Sequence, residues 1–107
     1  MEKIVKQTLL YDFYGELLTG RQRQVYESVV LEDYTLSEVA EELSISRQGV
    51  YDMVHRCDQI LEEYEQKLHL VERFLDIRAK VEKISTLAEE AGISEITAMC
   101  SEVLEEL

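Results

Sequence analysis

The stretch LSEVAEELSISRQGVYDMVHR, Leu36 to Arg56, decides the fold. Leu36, Val39, Ala40 and Leu43 recur at steps of three, one and three, which puts them on one face of a short helix. Thr35 and Glu38 form a capping box ahead of it: the hydroxyl takes a free backbone N–H and the carboxylate reaches back to the cap. Ser44, Ile45 and Ser46 then interrupt the pattern. An apolar residue in the middle of such a turn reads as a plug for the core between two helices. Ser46 is a good N-cap for a second helix, whose Val50, Met53 and Val54 turn inward. The small Ala40 lets the two helices cross closely. Two short helices joined by a tight turn follow.

Upstream, Ile4, Leu10, Tyr14, Leu17 and Leu18 predict a helix over Glu2 to Leu18. Thr19 and Gln22 repeat the capping box, and Val25, Val29 and Val30 carry a helix from about Gly20 to Leu31. Downstream, Val50, Val54, Cys57, Leu61, Tyr64, Leu68, Val71 and Leu75 alternate steps of four and three as a heptad seam. The seam then slips by three residues to Phe74, Ile77, Val81, Ile84 and Ala88, a shift that overwinds or bends a supercoil. With no proline and no glycine between Val50 and Ala91, the pattern predicts one long helix, either pairing with another chain or lying across a small bundle. Gly92 ends it, and Ser94 caps a last helix bearing Ile96, Met99, Cys100, Val103, Leu104 and Leu107. That stripe folds back on the long helix or docks on another subunit. The fold class is all-α: a helix-turn-helix domain over 1–60, without a wing, then a long helix and a short C-terminal helix over 61–107. The extension is expected to pack on the first domain and to form the interface of a homodimer.

The composition agrees. The 107 residues contain no proline, four glycines and 23 acidic against 11 Lys and Arg residues, for a net charge of −12. No apolar run approaches the roughly 18–20 residues that span a bilayer. The start MEKIVKQTLL is too polar for a secretory signal, so no membrane insertion and a cytoplasmic location are expected. Cys57 and Cys100 have apolar neighbours and read as reduced core residues. The acidity repels DNA, RNA and anionic lipid unless the few cations gather on one face.

The pair of helices resembles the helix-turn-helix of sigma-factor region four, in which a helix opening LT..QR precedes the pair. More closely, the chain from YDFYGELLTGRQRQVYESVVLEDYTLSEVAEELSISRQGVYDMVHR through LEEYEQKL is similar to the YlxM family, over roughly the first two-thirds of its length. The shared motifs are YDFY, LT..QR, LEDY, EVAEE, SRQ.VYD and LEEYE. The resemblance implies a helical fold, regulatory DNA binding and a part in the signal recognition particle pathway, the last from gene neighbourhood. Its helix-turn-helix pattern makes Ser46, Arg47, Gln48, Tyr51, Asp52 and His55 the base-facing candidates. Arg56 lies on much the same outer surface, and Arg21 and Arg23 of LTGRQR are candidates for phosphate contact. Gly49 stands where alanine is expected.

Arginine pairs with guanine, glutamine with adenine, and Asp52 could accept from cytosine. Against this, Glu38, Glu41, Glu42 and Asp52 outnumber Arg47 and Arg56 between Thr35 and Arg56. Arg21 and Arg23 raise the phosphate-competent cations to four per chain, and a dimer doubles them. The rival reading is a protein-interaction module on the same scaffold, or an accessory factor that binds the particle's RNA or protein components. No catalytic set is visible. His69 with Glu72, and His55 with Cys57, lack the further ligands of a metal site. An enzyme, a cofactor and a metal are not expected.

Overall fold

The computed structural model describes all 107 residues, every regular element of which is helical. Helix α1 (Lys3–Tyr14) runs into a single 3₁₀ turn, Gly15–Leu17. Helix α2 (Gly20–Tyr26) widens at its end into a π turn over Glu27–Leu31. Then come α3 (Leu36–Leu43), α4 (Arg47–Leu68), α5 (Leu70–Glu90) and α6 (Ser94–Glu106). The chain divides into two compact units, 1–69 and 70–107.

Local chemistry sets the helix starts in the first unit. Both capping boxes form: the Gln22 N–H donates to Thr19 Oγ1 at 3.2 Å and the Thr19 N–H to Gln22 Oε1 at 2.9 Å. The Thr35–Glu38 pair does the same, at 3.1 Å each way. Behind these caps Val25, Val39, Ala40 and Val50 form a buried core, with Val29, Leu36, Leu43, Ile45, Met53 and Val54 packed around it. Ile45 is thus the plug that its place in the turn suggests.

A second set of contacts clamps α1 onto α2 and α4. Tyr26 is fully buried, and its hydroxyl donates to Asp58 Oδ1 at 2.6 Å. Gln7 Nε2 donates to both Asp58 oxygens, at 3.1 and 3.2 Å. The ring of Tyr11 stacks on Tyr26 at 5.5 Å, and its hydroxyl donates to Glu27. Tyr14 donates to Glu65 Oε1 at 2.5 Å and stacks on Tyr64. Gly15 lies where a Cβ would come within 2.8 Å of the Tyr11 ring, so the backbone approaches as only glycine allows.

The long helix expected between Val50 and Ala91 is in fact two. α4 ends at Leu68, and His69 takes a left-handed conformation (φ 55°) while its N–H donates to Glu65 O at 2.8 Å. The break falls within the heptad seam, ahead of its change of phase at Phe74, which lies in α5. Leu68 and Ile77, both read as seam residues, are exposed, and a single left-handed residue ends α4; His tolerates that region better than most non-glycine residues. The expected domain boundary at 60/61 falls inside α4, whereas the units part at His69. Of the residues whose spacing predicts the first helix, Leu10, Tyr14 and Leu18 are buried, whereas Ile4 and Leu17 are exposed.

The second unit is a hairpin of α5 and α6, with Ala88 and Cys100 buried in it. Gly92 (φ 74°) ends α5 as expected: its N–H donates to Glu89 O at 3.1 Å and the Ile93 N–H to Ala88 O at 2.9 Å. Ser94 is the first residue of α6 rather than its cap; Ile93 precedes it, and no side-chain cap bond is made. The paired bonds closing α5 hold the turn in its place.

Candidate nucleic-acid interface

The turn between α3 and α4 is built to present the start of α4. Ser44 is left-handed (φ 56°), and the Ile45 N–H donates to Ala40 O at 3.0 Å while the Ser44 N–H donates to Glu41 O at 3.3 Å. These two bonds satisfy the end of α3 and aim Ile45 at the core. Ser46 Oγ then accepts the Gly49 N–H at 2.9 Å. The first turn of α4 is therefore anchored on its inner side by Ile45 and Val50 and capped by Ser46, with its outer side free.

On that outer side Arg47, Gln48, Tyr51, Asp52 and His55 are all exposed. The Tyr51 and His55 rings stack nearly parallel, 6.2 Å apart with 4° between planes, a flat aromatic ledge one helical turn long. Gln48 Nε2 donates to Asp52 Oδ1 at 2.9 Å, so one of the glutamine's two N–H donors is held by the carboxylate. Leu36, Arg47, Gln48 and Tyr51 line an open cleft of about 440 Å³ at the mouth of the motif. Arg56 is exposed on the flank beyond His55.

The arginines ahead of the motif differ. Arg21 is exposed, but Arg23 is half-buried, its Nε donating to the Tyr11 hydroxyl at 3.4 Å and its Nη2 lying 3.9 Å from Glu27 Oε1. Arg23 thus belongs partly to the tyrosine clamp. Sequence reasoning missed that clamp, although YDFY and QVYES carried its phenols; the partners Asp58 and Glu65 lie more than thirty residues away, beyond any local pattern. Cys57 is buried and faces away from exposed His55. Burial, with Asp58 beside it, pushes its thiol up to about 11.

An anchored, capped second helix whose outer face is polar and open, in an all-α chain, defines a helix-turn-helix protein. The chain belongs to the family described as "Putative helix-turn-helix protein, YlxM / p13 like", which matches residues 1–99. It is 54% identical over 77 residues to a UPF0122 protein of Caldanaerobacter subterraneus, a match that covers 72% of this chain and 66% of that one. A UPF0122 protein of Thermoanaerobacter pseudethanolicus is equally similar over the same shares. A Bacillus cereus UPF0122 protein is 40% identical over 108 residues, covering 100% of this chain and 98% of its own.

Proposed function

We propose that the chain is a regulatory protein that binds duplex DNA through the first turns of α4, without catalysis. The observation that carries this reading is the exposed run of Arg47, Gln48 and Tyr51 on a helix start held from behind by Ile45 and Ser46. A second helix so anchored can lie in a major groove with its N-terminal side chains at base edges. Arg47 is the guanine reader and Gln48 the adenine reader, and Asp52 orients Gln48 in the free protein. Arg21 and Arg56 meet phosphates; Arg23 contributes less, because Glu27 and Tyr11 already hold it. With about three free cations per copy, affinity falls roughly 40-fold for a fourfold rise in salt, and about twice as steeply on a logarithmic scale for a dimer. We place this regulator with the signal recognition particle pathway, in line with the family resemblance.

The exposed Glu41 and Glu42 of α3 favour a second reading. They lie on the helix that would brace against phosphate, and they suit a basic partner better. On that reading the same surface docks on a protein or RNA component of the targeting machinery. Mobility-shift titration over a range of salt decides between them. DNA reading requires that Arg47→Ala relax sequence choice while Arg21→Ala weakens all sequences alike. If no duplex shifts at low salt, while the wild type binds targeting components and Arg47→Ala does not, the second reading holds.

A further inference from the structure

A hairpin of two helices buries only the stripes that face each other. Within 70–107 those include the buried Ala88 and Cys100 and the half-buried Val81 and Leu104. Each helix carries another apolar stripe beside the buried one: Ile77 and Ile84 on α5, and Ile96, Met99 and Val103 on α6, all 38–59% exposed. Residues advance roughly 100° around a helix, so the α5 stripe lies counter-clockwise of the α5–α6 contact line, seen from the start of α5. α6 runs the opposite way, and its exposed stripe falls on the same side. The two stripes therefore make one apolar face.

Its two edges carry opposite charge. Beside the α5 stripe lie Lys80 and Lys83; beside the α6 stripe lie Glu102 and Glu106, all exposed, and α6 contains no Lys or Arg. Lys80 is paired with Asp76 at 3.0 Å, while Lys83 makes no ion pair in its own chain. We propose that this face docks a second copy of the chain as a two-fold four-helix bundle, with α5 of each copy over α6 of the other. A two-fold axis parallel to the helices keeps heights unchanged and brings each lysine edge onto the partner's glutamate edge. Lys83 lies seven residues before the end of α5 and Glu102 eight after the start of α6. At 1.5 Å per residue both are roughly 11 Å from the hairpin turn, so they meet level. The perpendicular two-fold would instead set lysine on lysine and glutamate on glutamate, which repels. The face is two helices wide and as long as the 13-residue α6, roughly 20 Å by 20 Å. That is about 800 Å² of flat area over both copies, and the relief of the side chains raises the accessible surface buried to about the 1,000 Å² at which specific interfaces begin.

The docking stands independently of any nucleic acid, and sedimentation equilibrium of the full chain alone tests it. The wild type should be a dimer at micromolar concentration, and Met99→Asp should be a monomer with unchanged helicity by circular dichroism. Lys83→Glu and Glu102→Lys should each weaken association tenfold or more, whereas the double variant, in which the charges are exchanged, should recover to near wild type. An equimolar mixture of the two single variants should pair more tightly than either alone, because both of its crossed contacts join opposite charges, whereas each variant with itself sets like charges together. A monomeric wild type at every concentration overturns the proposal, including the case in which Met99→Asp merely destabilises the chain because the face is covered from within. A dimer indifferent to both single reversals overturns the arrangement.

Discussion

Tyr26 puts its ring among apolar neighbours and its hydroxyl on a carboxylate, so one side chain joins the core of the first unit to a polar contact. Asp58 takes that bond and two from Gln7, which is how a carboxylate can be half-buried without a cation. Removing the phenol oxygen leaves the ring's packing intact and takes one donor from an ionised acceptor. Tyr26→Phe should therefore cost about 1–3 kcal/mol, read as a lower denaturant midpoint at unchanged slope. Cys57 offers a second check at this scale. Its thiol is buried and pushed up to about 11 by that burial, so little thiolate exists at neutral pH. An alkylating reagent should leave Cys57 unmodified in the native protein and label it fully in denaturant; peptide mass mapping separates it from Cys100. None of these partnerships was legible in the sequence. A phenol's periodicity reports that it faces inward, but not which distant carboxylate meets its oxygen.

The elements were far more legible, because their signals are local. Thr19 with Gln22 and Thr35 with Glu38 start helices by bonds spanning three residues, and Ser46 does so alone, so each start could be read from a few adjacent letters. Gly92 announced a helix end for the same reason. The break in the long helix had no such signal: His69 ends α4 without proline or glycine. The segment from Gly20 to Leu31 is helical as expected, but its widening into a π turn at Glu27–Leu31 has no residue-type signature. The recognition surface was legible as a set of positions on α4, but the mutual bond of Gln48 and Asp52 and the capture of Arg23 by Glu27 depend on side-chain conformation. Ser44 provides the element-scale test. It holds a left-handed conformation that costs a residue with a Cβ about 1 kcal/mol relative to glycine, while glycine adds some freedom to the unfolded chain. Ser44→Gly should stabilise the protein by about 0.5 kcal/mol and leave any DNA affinity unchanged; a loss of stability would show that the serine side chain holds the turn. Gly49→Ala should also stabilise by up to about 0.5 kcal/mol. The helix gains, and the new Cβ, 3.1 Å from Ser46 Oγ, is accommodated by a small rotation of that hydroxyl.

At the scale of the whole molecule, the net charge of −12 makes the chain self-repelling, and alkaline solution makes it more so. Three groups of the first unit link this to folding. Burial holds Tyr11 and Tyr26 above the usual phenol value of 10.0, reinforced by the neighbouring carboxylates Glu27 and Asp58; for Tyr11 the Arg23 guanidinium opposes the rise. Burial likewise lifts Cys57 from 9.0 to about 11. For each, the unfolded state releases its proton at a lower pH than the folded state does. Their contribution to stability is therefore complete below pH 9, and it is lost as pH rises through the folded-state values. The thermal midpoint should hold level from neutral pH to about pH 9 and fall steeply from there through pH 11, with helix loss accompanying part of the rise in tyrosinate absorbance. Tyr26→Phe should start from a lower midpoint yet fall less steeply above pH 10, because one of the three linked protons is gone. A midpoint that did not change between pH 8 and pH 11, or a Tyr26→Phe variant with the same alkaline slope as the wild type, would show that the phenol is not sequestered as the clamp requires.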